Sequence, residues 1–520
     1  MKKLLLASLA GLILTTGSAF AADLATPAPV YKAPPPPAPV VSWTGCYIDG
    51  GAGYGLWNQD HSTTFPLPPT SVTITDAGRG WLGRFGGGCD YQTPLFDNRL
   101  VVGVFGDYDF MSLKGSNTPE VINAATLLPS TFYTKETDAA YVGGRIGYLV
   151  NPTLLTYVDG GWAATHFSNS PVIIAASGAA TGTSWPNYSP QGWFLGGGYE
   201  YALNFDWLPI HGLFWRTEYR FAQYDSSDIR IISAAGTPGN DVEHITPYVQ
   251  TITSSLVWRF NFNGPIIAAA DGASALAYKA PPALPPPAVS WTGCYVDGGG
   301  GYGVFNQDHS TSGPGFANVA TTDGGRGWSG RVGGGCDYLT PLLNNRVVVG
   351  VFGDYDFMSL TGSNTPELRN IANGILQGPV TFNTKETDAG YVGGRIGYLV
   401  SPTLMTYADG GWTATRFTNS PEIRTATGAL SGFGWPSYSP GGWFLGGGAE
   451  YALSGIVPIN GLFWRSEYRF ASYSKTDDAE FLVATGAPNG NVEHITPYVQ
   501  TVTSGLVWRF NFGGPIATRY

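Results

Sequence analysis

Beyond its first residues this sequence has no long apolar run, and charge is scarce, with Asp, Glu, Lys and Arg making up 12% of 520 residues. After residue 21 no stretch approaches the ~20 apolar residues a membrane-crossing helix requires, which excludes a helical membrane protein. The 27 Lys and Arg are scattered against 37 Asp and Glu, for a formal net charge of -10. Without a basic stripe, nucleic acid is excluded as a partner because its phosphates would be repelled. Cysteine is confined to four positions and histidine to six. With no spaced Cys/His cluster, Ser/His/Asp arrangement or paired-carboxylate cleft, the chain is expected not to be an enzyme and to carry no cofactor. Gly298, Gly300 and Gly303 spell GxGxxG, but no helix follows to hold a phosphate, and Ala52 replaces the middle glycine in the matching earlier segment.

Glycine and aromatics are plentiful, with 73 Gly, 16 Trp and 29 Tyr, a composition suited to bent strands and membrane interfaces. An all-β chain is the first expectation. Lys2 and Lys3, the apolar stretch Leu4 to Leu14 and the small-x-small site Ala19-Phe20-Ala21 read as a signal peptide over 1-21, with the mature chain starting at Ala22.

Compared with itself, the chain is written twice. Ser42 to Phe262 returns as Ser290 to Phe512, with SWTGCYIDGG becoming SWTGCYVDGG and VFGDYDFMSL unchanged. Each copy follows a proline-rich stretch, YKAPPPPAPVV or YKAPPALPPPAV, expected to be an extended tether. The expected organisation is a tether over 22-41, a first barrel over 42-262, a linker over 263-289, a second barrel over 290-512 and a tail over 513-520. In copy one, period-2 alternation places eight strands near 44-58, 79-92, 98-111, 134-150, 153-167, 190-203, 210-225 and 245-262. Links after strands two, four and six are short. The others are long and differ between copies, as expected where periplasmic turns alternate with external loops.

Reading every second residue separates two faces. Leu100, Val102, Val104, Tyr108 and Phe110 share one face of strand three, whereas Arg99, Asp107 and Asp109 share the other. In the last strand Leu256, Trp258, Phe260 and Phe262 point outward, and Thr251, Thr253, Ser255 and Arg259 point inward. The inward charges of copy one are Asp49, Arg84, Asp90, Asp107, Asp109, Arg145, Asp159, Glu200, Arg216, Glu218, Arg220 and Arg259. An interior about eight strands around has room only for side chains, so these groups should form a structural ion-pair ladder. Trp81, Trp162 and Trp193 should ring the outer membrane interface, and Tyr91, Tyr148, Tyr201 and Trp258 the inner one. A soluble sandwich is disfavoured because it would not expose an apolar face on every strand.

In an oxidising compartment Cys46 should pair with Cys89 and Cys294 with Cys336, since antiparallel neighbours bring each pair together. Closure of the barrel should also bring Asp60 and His61 near Glu243 and His244, and Asp308 and His309 near Glu493 and His494. Such donors could bind a transition metal or an exposed haem at the rim. The preferred reading is that they are solvated loop-end residues copied along with everything else. His166 and His211 are replaced by Arg416 and Asn460 in the second copy and look incidental.

The opening SWTGCYIDGGAGYG, the strands closing on GGRIGYLV and the terminal LVWRFNF together resemble the alphaproteobacterial porin-like outer-membrane β-barrel family. That family is related in architecture to the OmpA transmembrane domain and to opacity-type surface proteins. The resemblance implies eight-stranded barrels, envelope integrity or surface interaction, and in some members haem binding. Leu256 to Phe262 and Leu506 to Phe512 look like the signal read by the barrel-assembly machinery. Members usually carry one barrel, whereas this chain carries the pattern twice. The expectation is therefore an all-β protein of two tandem eight-stranded antiparallel barrels in the outer membrane, in contact with lipid and lipopolysaccharide, with its external ligand unnamed. A merged sixteen-stranded diffusion porin is the alternative.

Overall fold

The computed structural model describes residues 40–64, 73–117, 130–174, 178–203, 212–260, 289–313, 320–364, 380–424, 427–454 and 459–510, together with 267–268, 369–370, 376–377 and 457. The expected signal peptide, nearly all of both tethers, the tail, Phe262 and Phe512 lie outside the described residues. Among the described residues, no helix is long and apolar enough to cross a membrane.

Long antiparallel strands carry the fold. In the first half they are β1 (Gly45–Thr63), β2 (Ile74–Thr93), β3 (Leu100–Asn117), β4 (Ser130–Asn151), β5 (Leu154–Asn169), β6 (Gln191–Ala202), β7 (Leu213–Tyr224) and β8 (Pro238–Phe260). In the second half they are β9 (Gly293–Ser312), β10 (Ala320–Thr340), β11 (Val347–Asn364), β12 (Val380–Ser401), β13 (Leu404–Asn419), β14 (Gly441–Ala452), β15 (Leu462–Tyr473) and β16 (Pro488–Phe510). Pairing passes in chain order from β1 to β8, and β8 then returns to β1 from Glu243↔Thr63 to Phe260↔Cys46. The second half repeats this circuit, with β16 returning to β9. Closure leaves no sheet edge, so backbone donors and acceptors are satisfied without water. The described ladders of the two circuits touch at one pair, Asp76↔Asp323.

Strand alternation sorts the faces. Ile48, Phe85, Val104, Val142, Val158, Leu195, Trp215 and Leu256 are exposed, one from each strand of the first circuit. Their in-strand neighbours Asp49, Arg84, Phe105, Tyr141, Asp159, Phe194, Arg216 and Ser255 are buried. A core that is polar and a surface that is apolar suit lipid as the outer solvent. The strands run further at the loop end than alternation suggests, β1 to Thr63 and β3 to Asn117. There the ladder continues above the apolar band, so hydrophobic contrast no longer marks it.

Cys46 and Cys89 sit opposite one another on β1 and β2 and are disulfide-bonded, as are Cys294 and Cys336 on β9 and β10.

Several strand glycines clear space for carboxylates. A Cβ on Gly86 would lie 2.0 Å from Asp107 Oδ1, and one on Gly103 would lie 2.0 Å from Asp90 Oδ1. Both glycines face inward beside a carboxylate on the paired strand, so the lumen is packed tightly enough that a methyl group has no room. By contrast, outward Gly83 has nothing nearer than the Gly51 carbonyl oxygen at 3.9 Å. Gly86→Ala should therefore lower stability by roughly 1–3 kcal/mol through overpacking, whereas Gly83→Ala should be neutral. Urea unfolding, followed by the heat-dependent gel mobility of the folded barrel, will show whether the two variants differ.

Candidate functional site

The lumen holds the densest chemistry. Arg84 donates from Nε and Nη2 to the two oxygens of Asp109, each at 2.7 Å, and from Nη1 to Glu218 at 2.6 Å. Arg220 bonds Asp107 at 2.5 Å and Asp159 at 3.2 Å. Nearer the turn end, Glu200 receives Arg216 at 3.0 Å and Arg259 at 2.6 Å. Arg145 bridges Asp90 and Glu200, and Arg216 reaches Asp49 at 3.1 Å. Every inward charge read from the first copy thus enters one of two ion-pair clusters, one around Arg84, Glu218 and Arg220 and one around Glu200, because each strand contributes alternate residues to the same narrow interior. The second circuit repeats it: Arg331 binds Asp356 and Glu467, Arg469 binds Asp354, and Arg509 binds Glu450 and Asp337.

Aromatic side chains that charge patterning overlooked complete the filling. The Tyr47 ring lies 4.7 Å from the Arg145 guanidinium, 4.6 Å from that of Arg216 and 5.0 Å from that of Arg259. Three cations around one ring add attraction inside a low-dielectric interior. Trp43, just before β1, closes the turn end; it is fully buried, and its Nε1 donates to the Pro152 carbonyl at 3.0 Å. At the loop end Tyr188 stacks on Phe167 at 5.1 Å and accepts a hydrogen bond from Gln59 at 2.6 Å. Trp185, from the same loop, is also buried. The signal for Trp43 was the SWTGCY repeat, where Trp precedes the first strand in both copies; the inward fold of the loop had no periodic signature.

At the rim, the four donors of each circuit considered for a metal or haem do not meet as one set: His61 reaches Glu243 and His309 reaches Glu493, but the other two donors of each turn outward. His61 faces inward and is held between Asp76 and Glu243. His244 faces outward, bonding Asp228 at 2.5 Å and Thr64 at 3.1 Å. His309 sits with Asp323 and Glu493, and His494 with Asp477 at 2.6 Å. Neighbouring residues on a strand point to opposite faces, so closeness in sequence separates His244 from the Glu243 beside it. Asp60 and Asp308 also face outward, each ion-paired to an arginine of the other circuit. Among the described residues, no group of three or more His, Cys, Asp and Glu is placed to hold a metal ion.

Removing one member of a buried charge pair leaves the other uncompensated, typically costing about 3–5 kcal/mol. Glu200→Gln should therefore destabilise the first circuit by that order, while the exposed Lys114→Gln should change little. Denaturant midpoints compared with the parent will check this.

The short strand Thr476–Leu482 pairs with the start of β16 beyond the level of Trp443 and thus outside the lipid-facing band. Burial pushes the Asp478 carboxyl up to about 7, and Glu493 and Asp477 add to the rise. Since an unfolded Asp titrates near ~3.9, the protonated form is favoured by folding. Asp478 therefore supports this hairpin fully below that value and loses its support as pH climbs through about 7. Protease nicking of the hairpin should increase between pH 5 and 8 in the parent, and Asp478→Asn should flatten that dependence.

No family model matches the chain. Among known proteins it is similar to the 31 kDa outer-membrane immunogenic protein of Brucella melitensis, with 31% identity over 213 residues, 40% of this chain and 83% of that protein. The 25 kDa outer-membrane immunogenic protein of Brucella ovis is 26% identical over 235 residues, 44% of this chain and 96% of that protein. The solved outer membrane protein OprG of Pseudomonas aeruginosa is 11% identical over 42% of this chain and 97% of that one, with a TM-score of 0.25. With the apolar outer face and polar core already described, the match to the 31 kDa protein means that the chain belongs to the family of that outer-membrane immunogenic protein and resides in the outer membrane.

Proposed function

We propose that the chain is an architectural and surface-interaction protein of the outer membrane, built as two eight-stranded barrels with filled lumens and loops facing the medium. Its work is non-enzymatic: it contributes to envelope integrity through contact with lipid and lipopolysaccharide and offers the variable loops to the surroundings. The observation that carries this reading is the lumen itself, occupied along its length by Arg–carboxylate pairs and closed at its ends by Trp43 and the Phe167–Tyr188 stack. Such an interior is filled by side chains, which supports a wall rather than a wide passage for solutes.

Further support comes from the ladder. β8 turns back to β1 rather than running on to β9, so the wide lumen of a merged sixteen-strand porin has no counterpart in the pairing. The relatives are named immunogenic, which accords with loops reachable from outside, and we extend that reading to this chain's loops. During biogenesis the aromatic strand ends at Leu256 and Leu506 would be read by the barrel-assembly machinery.

Planar-bilayer recording on the purified full-length chain tests the proposal. Little or no conductance is expected, whereas a large, stable, ohmic step would overturn the filled-lumen reading in favour of passive diffusion.

A further inference from the structure

Around most of each circuit, the outward residues are apolar and exposed, but one sector departs from this. Asn58 and Gln250 point outward and yet are buried, as are their counterparts Asn306 and Gln500. A primary amide facing hydrocarbon would be left without partners at high cost. Here the opposite circuit covers it. A Cβ on Gly324 would lie 2.0 Å from Asn58 Nδ2, and Gln250 and Gln500 line the same small crevice between β8 and β16. Within each circuit a tyrosine hydroxyl donates to the glutamine carbonyl oxygen, Tyr219 to Gln250 and Tyr468 to Gln500, both at 2.7 Å.

The contacts across this sector are reciprocal. Arg79 of β2 makes a two-pronged ion pair with Asp308 of β9 and lies 4.0 Å from the Tyr498 ring centroid. Arg326 of β10 does the same to Asp60 of β1 and lies 3.7 Å from the Tyr248 ring centroid. Lower in the sector, Tyr54 meets Phe470 at 6.2 Å and Phe221 meets Tyr302 at 5.9 Å. Each contact made by one copy is returned by the equivalent residue of the other, which is the logic of a two-fold self-complementary interface. In lipid, burying apolar surface gives little drive to associate, so docking depends on close packing and directed polar contacts. The paired guanidinium forks over tyrosine faces supply both.

We propose that the outward sector of β1, β2, β7 and β8 is a self-recognition surface whose occupant is the equivalent sector of β9, β10, β15 and β16. The chain is a covalently joined dimer of barrels, docked flank to flank. This rests on the two-barrel reading above. The linker then serves to hold the halves at high local concentration rather than to clamp them.

The test uses the full-length chain, folded, carrying a protease site introduced between residues 263 and 289 and cleaved after folding. The parent halves should stay together on mild-detergent gels and in size exclusion. Arg79→Asp with Arg326→Asp should separate them at least ten-fold more, and adding Asp60→Arg with Asp308→Arg should rejoin them. Thr75→Cys with Ser363→Cys, placed where the Thr75 amide donates to Ser363 Oγ at 2.8 Å, should cross-link the halves without any change of charge. The proposal is overturned if the cleaved parent halves part as readily as the reversed variant, or if the cysteine pair fails to link them. Heat-dependent mobility of each half reports whether its barrel remains folded, so loss of docking is told apart from failure of the two-barrel reading itself.

Discussion

Hydrocarbon offers no hydrogen bonds, and that constraint organises this molecule. Every backbone amide in the apolar band must find its partner in the ladder, so the strands close into circuits. Every charge must turn away from lipid, so the lumen collects the arginines and carboxylates that elsewhere would lie on a protein surface. Once inside, these charges can be neither hydrated nor left alone, and the network joining Arg84, Glu218, Arg220 and Asp107 is the result.

Glycine and aromatics follow from the same requirement. A lumen crowded with guanidinium groups has no space for a Cβ beside Asp107 or Asp90, so Gly86 and Gly103 stand opposite them. Tyr47 provides a flat face for three cations, and Trp43 ends the column of charge with an apolar lid that also donates a hydrogen bond. Filling of this kind suits a protein whose contribution is a stable wall with loops outside it. Around Asn58 and Gln250 the outward face becomes polar where, on our proposal, it meets the other circuit instead of lipid.

Much of this was legible from residue order. Alternation along Leu100 to Phe110 separated the faces of β3 because side chains on a strand alternate strictly, but Arg99, read as inward, lies in the turn before the strand and is exposed. The twelve charges read as inward are buried, since each strand reported its own, but Asp76 and Glu136, buried nearer the loop end, escaped that reading. The rim histidines show the limit. His244 follows Glu243 directly, and nearness in sequence suggested one donor set, but the alternation that sorted the lumen sends His244 outward and leaves His61 between Asp76 and Glu243. Strand ends were also blurred, because above the membrane both faces are polar and the contrast that marks a strand disappears.

The sequence by itself determined the all-β class, the repeat, the lipid-facing and lumen-facing sets and the cysteine partners, all of which depend on local periodicity or on comparing the chain with itself. Only the tertiary structure decided which carboxylate each arginine holds, that Trp185 and Tyr188 fold inward to cap the lumen, and that Arg79 and Arg326 reach across to the other copy. These depend on strand tilt, register and docking, which bring together residues from 16 to 266 positions apart. No local pattern encodes such distances.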